Sequence, residues 1–81
     1  MAKVVLSAEM QRFTGGAREV EVEAEDFPAL LAELCRRFPD LGEDTVRKQS
    51  LGIDGMLIHT PMLETFGQDS QLVFVTRIAG G

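Results

Sequence analysis

The chain contains no Trp and no Tyr, a single cysteine, Cys35, and a single histidine, His59. One cysteine excludes an intrachain disulfide and any zinc site built on several thiolates. His59 has no Cys, His or carboxylate at ligand spacing, so its default place is the surface. One His and one Cys cannot be assembled into a nucleophile–base pair or a metal cluster, and the chain is not expected to be an enzyme. Basic residues are also scarce, with 8 Lys and Arg against 13 Asp and Glu, a net charge of −5. A nucleic-acid partner needs a basic face, so none is expected. The acidic balance suits docking on a basic protein surface. No apolar run approaches the roughly 18 residues of a membrane span. No basic-then-apolar leader opens the chain. The expectation is a cytoplasmic protein without a membrane partner.

What is present fits one small domain over residues 1–81, with 44% apolar and 26% charged residues. Lys3 to Ala8 alternates as a strand, with Val4, Leu6 and Ala8 on one face and Val5 and Ser7 on the other. Glu9 to Ala17 holds Thr14-Gly15-Gly16 and reads as a hairpin turn. It lacks the Gly-Lys-Ser/Thr ending of a phosphate-binding loop. Arg18 to Ala24 alternates strictly, with Glu19, Glu21 and Glu23 outward and Val20, Val22 and Ala24 inward. The three glutamates are read as the solvated face of an edge strand rather than a metal or acid–base cluster.

Asp26 then caps a helix, with Pro28 in its first turn and Arg36 and Arg37 at its negative end. Phe27, Leu30, Leu31, Leu34, Cys35 and Phe38 form one apolar stripe, and Pro39 stops the helix. Cys35 is read as a buried structural thiol. Pro39 to Lys48 is a loop with one helical turn, anchored by Leu41 and Val46. Gln49 to Ile53 and Met56 to His59 are strands joined at Asp54-Gly55, a favoured two-residue turn. Pro61 breaks the second strand, and Met62 to Phe66 makes a short turn with Leu63 and Phe66 tucked inward. Gly67 to Ser70 turns into a last strand, Gln71 to Thr76, apolar on both faces.

One helix with one apolar face must pack across a single mixed sheet. The first and last strands are apolar on both faces, so they belong at its centre, side by side and parallel, with the helix in the crossover. This is an α+β fold of the β-grasp, ubiquitin-like kind: five strands and one main helix. Val4, Leu6, Leu72 and Phe74 then face the helix. Val5, Val73 and Val75 face the other way, together with a residue of the Met56–Ile58 strand, and form an exposed apolar surface for partners. After the last strand come Arg77, Ile78, Ala79, Gly80 and Gly81. Two glycines there serve no core and cap no helix, but make a thin peptide that can enter a narrow cleft.

The whole chain resembles the ubiquitin-like sulfur carriers of the ThiS/MoaD type. The likeness rests on the Lys3-Val4-Val5-Leu6 strand, the Glu25-Asp26-Phe27-Pro28 helix entry and the Leu30-Leu31…Leu34 stripe. The Ile53-Asp54-Gly55 hairpin and the Ala79-Gly80-Gly81 end complete it, and the length suits the MoaD branch. The resemblance implies that Gly81 is adenylated by a separate ubiquitin-activating-type enzyme using ATP, then converted to a thiocarboxylate. It implies sulfur donation to an acceptor enzyme such as a molybdopterin synthase large subunit; carriers for thiamine or cysteine synthesis and protein modifiers conjugated through Gly81 share this tail. On this reading Gly80 gives the tail clearance and residues 78–81 are exposed. Val5, Val73, Val75, Arg77 and Ile78 meet the partner, and the chain binds no cofactor of its own.

Overall fold

The computed structural model describes residues 1–58 and 64–76. Five strands form one sheet: β1 (Ala2–Val5), β2 (Glu19–Val22), β3 (Gln49–Ile53), β4 (Met56–Ile58) and β5 (Gln71–Thr76). Three helices accompany them: α1 (Ala8–Gln11), α2 (Phe27–Arg37) and α3 (Glu43–Arg47). The sheet order is β2-β1-β5-β3-β4, with β1 and β5 parallel and the other pairs antiparallel. The two strands with apolar residues on both faces are thus neighbours at the centre, and this is the β-grasp arrangement.

The main helix begins where its residues dictate. The Asp26 carboxylate accepts from the Ala29 N–H at 2.9 Å, Pro28 sits in the first turn, and Arg36 and Arg37 occupy the last. Phe27, Leu30, Leu31 and Leu34 are buried in a cluster that includes Val4, Leu6, Val22, Leu51, Leu72 and Phe74 from the region of the sheet. Leu41 and Val46 join the same core as the anchors of the segment around α3. Asp54 (φ 49°) and Gly55 (φ 90°) both take the left-handed backbone that a tight two-residue hairpin turn requires.

Four readings are corrected. The first strand ends at Val5, and Ala8, expected on its inward face, is exposed at the start of α1. The segment expected as a simple hairpin turn contains that helix. The Ser7 hydroxyl caps it by accepting from the Met10 N–H at 3.2 Å, which turns Met10 fully into the core. The glycines still turn the chain, since Gly15 and Gly16 have φ of 68° and 90°. Cys35 is half-buried at the margin of the stripe, not within it, as is Phe38. Burial still pushes the thiol pKa up, with the nearby Glu43 charge adding to the effect. Lastly, residues 64–66 do more than turn: Phe27 N–H donates to Glu64 C=O and Phe66 N–H to Glu25 C=O, an isolated antiparallel bridge beside the helix start. Phe66 is buried, as expected. His59, Pro61 and Leu63 lie outside the described residues.

Candidate functional site: the open face of the sheet

Successive side chains of a strand point to opposite faces, so the register assigns every residue to a side. Leu51, Leu72, Phe74, Val4 and Val22 lie on the helix side and are buried. On the other side the register aligns one row across the whole sheet: Leu57 (β4), Gly52 (β3), Val73 (β5), Val5 (β1) and Glu19 (β2). Val75 stands in the next row beside Ser50, which is buried. Leu57 is 50% and Val75 43% exposed. Val5 and Val73 are half-buried, as flat side chains between paired strands should be. Gly52 leaves a shallow notch between Leu57 and Val73, where a Cβ would meet the Val73 carbonyl at 3.6 Å. The structure therefore brings Val5, Val73 and Val75 together on one face. It names Leu57 as the β4 member, where the sequence had left the choice open. Arg77, Ile78, Gly80 and Gly81 lie outside the described residues.

The β2 side of this face is charged. Glu19 and Glu21 point outward, Lys3 lies beside Glu21 in register, and Lys3 Nζ is 3.4 Å from a Glu19 carboxylate oxygen. Lys3, Glu19, Val20 and Glu21 line a shallow depression of about 320 Å³.

The outer edge of β2 is closed from the helix side. The Glu33 carboxylate accepts from Glu23 N–H at 3.0 Å and Ala24 N–H at 3.2 Å, and Arg37 donates to the Glu21 carbonyl. Arg37 also pairs with Glu33 at 3.5 Å, one helical turn away. This clamp was not read from the sequence, where Glu33 and Arg37 look like an ordinary solvated i,i+4 pair.

A further polar group lies where the tail begins. Gln49 is paired with Thr76, the last residue of β5, and is 1% exposed. Its Nε2 donates to Glu9 Oε1 at 2.7 Å and to the Thr45 carbonyl at 3.2 Å, tying α1 and α3 to the start of β3. Its Oε1 is buried without a hydrogen-bond partner among the described residues. Among the described residues no three His, Cys, Asp or Glu side chains converge as a metal set, and no helix is long and apolar enough to cross a membrane.

The fold has a solved counterpart. The structure superposes on SAMP1 from Haloferax volcanii with a TM-score of 0.67 over 99% of this chain and 98% of that one, at 19% identity. At that identity the likeness concerns the fold, a ubiquitin-like β-grasp. No family model matches the sequence, and no curated protein matches it.

Proposed function

We propose that the chain is a ubiquitin-like sulfur carrier whose Gly81 carboxylate is the working group. The observation that carries this reading is the placement of β5. It is the central strand, parallel to β1, and it runs past the exposed Val75 directly into Arg77-Ile78-Ala79-Gly80-Gly81. A protein that must offer a thin peptide to a partner's active site gains from a rigid root beside an apolar docking patch.

The chemistry follows from the carboxylate. A free α-carboxyl group has a pKa near 3.5, so at neutral pH it is an anion and a poor electrophile. A partner enzyme therefore joins it to the AMP moiety of ATP, with release of pyrophosphate. Sulfide then attacks the activated carbonyl and displaces AMP, leaving a thiocarboxylate on Gly81. A persulfide donor instead displaces AMP to give an acyl disulfide, and a second thiol of the partner attacks the donor sulfur, forming a disulfide and releasing the thiocarboxylate. The chain acts as a cosubstrate; the ATP site and the acid–base groups belong to the partner. Among carrier branches we favour the small subunit of a molybdopterin synthase, on the resemblance in length and hairpin described above. Carriers for thiamine or cysteine synthesis, and a protein modifier conjugated through Gly81, use the same activation.

Intact-mass measurement tests the reading. Incubation with ATP, the cognate activating enzyme and a sulfur donor should replace one oxygen by sulfur, a gain of about 16 mass units, at Gly81. A chain lacking Gly80 and Gly81 should fold and gain nothing. A modification elsewhere, or none with all components active, overturns the carrier reading. An isopeptide bond from Gly81 to lysine selects the modifier alternative. Stable association with a molybdopterin synthase large subunit, rather than a thiazole or cysteine synthase, selects the favoured branch.

A further inference from the structure

We propose that the open face is a graded docking surface that fixes the partner's rotation: apolar at its β4–β1 end and acidic at β2. It takes a protein surface carrying an apolar ridge flanked on one side by arginine or lysine. The identity of that partner, the enzyme that adenylates Gly81, rests on the carrier reading above; the chemistry of the surface does not.

The register supplies the gradient. Leu57, the Gly52 notch, Val73 and Val5 follow one another across four strands, and the fifth position of the same row is Glu19. Glu21 lies in the adjacent row behind Lys3. Lys3 is shared with Glu19 in an exposed pair, and Glu21 makes no ion pair among the described residues. The surplus on this flank is therefore negative, in a chain of net charge −5. The shallow depression lies among these same charged groups. Desolvating the valines against an apolar ridge supplies contact area, while the carboxylates decide which way round the ridge lies. Rotating the partner by half a turn would put its basic flank against Leu57 and leave Glu19 and Glu21 facing apolar atoms, a costly burial of unpaired charge. β5 is the middle strand of the sheet and the tail follows it in sequence, so fixing the rotation also fixes where Thr76, the last residue of β5, sits against the partner.

Two arms test it. In the first, the 15N-labelled chain is titrated with acetylated peptides alternating valine with arginine, and valine with glutamate. The arginine peptide should shift Val5, Leu57, Val73, Val75, Glu19 and Glu21 amides, and the glutamate peptide should bind at least about tenfold more weakly. Glu19→Gln/Glu21→Gln should remove that preference, and so should raised salt. Equal binding of both peptides, shifts on another surface, or an unchanged preference in the double variant overturns the proposal. In the second arm the same variant is adenylated by the activating enzyme. KM should rise on the order of tenfold at low salt and converge on the unmodified chain at high salt, with kcat held. Normal charging of Gly81 with unchanged KM overturns the graded surface and leaves the carrier reading standing. A positive peptide arm with no enzyme able to charge Gly81 supports the surface and overturns the carrier reading.

Discussion

Replacing Leu34 by alanine is the sharpest check on the architecture. Leu34 is fully buried in the middle of the α2 stripe, in one cluster with Phe27, Leu30, Leu31 and Phe74. Removing its isobutyl group forfeits the transfer energy and leaves a cavity between helix and sheet, about 2–5 kcal/mol in comparable cores. A chain of this length has a total stability of about 4–12 kcal/mol. The variant therefore loses a large fraction of what holds it folded. At roughly 4–8 °C per kcal/mol for a domain of this size, the melting temperature should fall by at least about 8 °C. Urea denaturation followed by far-ultraviolet circular dichroism gives the same quantity as a lower midpoint at unchanged slope. Ala32→Ser, on the exposed side of the same helix, is the control. It loses only helix propensity, about 0.5 kcal/mol. If Leu34→Ala and Ala32→Ser melt within a degree or two of one another, the helix does not face the sheet as described.

Val75→Asp should leave the fold nearly intact, with a melting shift of a few degrees at most, because the side chain is 43% exposed. It should sharply weaken capture by the activating enzyme in a pull-down, since a carboxylate would be desolvated without a partner; tight binding by the folded variant would move the docking face elsewhere. Glu33→Ala should cost about 1–3 kcal/mol in chemical denaturation, because two N–H groups at the end of β2 lose their acceptor. A loss as small as that of a typical exposed ion pair, below about 0.5 kcal/mol, would show the clamp to be dispensable. Cys35 should alkylate more slowly in the folded chain than in urea at pH 8, as read by mass after iodoacetamide. Its pKa is raised by burial and then by Glu43. The folded state holds the thiol proton more tightly than the unfolded one, so this contribution is full below the unfolded thiol's pKa and is lost as pH rises through the folded one. Equal alkylation rates would contradict that environment.

Alternation and helical spacing made most of the fold legible before any coordinates. Val20 and Val22 against Glu19 and Glu21, Leu72 and Phe74 against Val73 and Val75, and the α2 stripe each report their burial through period alone. The doubly apolar first and last strands located the centre of the sheet. The shared open face of Val5, Val73 and Val75 was legible for the same reason: once one face is assigned to the helix, the other follows.

What stayed hidden has two physical causes. The helix α1 is four residues long, too short for a 3.6-residue period to appear, and Val4, Leu6 and Ala8 continue the strand pattern into it. The signals present were Ser7 as a cap and four good helix formers in Ala8-Glu9-Met10-Gln11. The other cause is long-range pairing. Nothing local marks Glu33 as the acceptor for Glu23 and Ala24, or Gln49 as the partner of Glu9, because those groups meet only after the chain has folded.

The position of β5 has a consequence for the order of assembly. Among the described residues the strands β1–β2 and β3–β4 are two antiparallel pairs with no ladder between them; β5 alone joins them, parallel to one and antiparallel to the other. Its pairing with β1 brings Lys3 beside Gln71 and closes a loop of nearly the whole chain. Such long-range closure is entropically expensive and comes late in folding. The sheet is therefore completed by the strand that leads into Gly80-Gly81. A chain that stops before Gln71 has the two pairs of strands but not the one that links them, and so lacks the valine row that spans them. A partner that grips both the row and the tail thereby selects chains whose folding is finished.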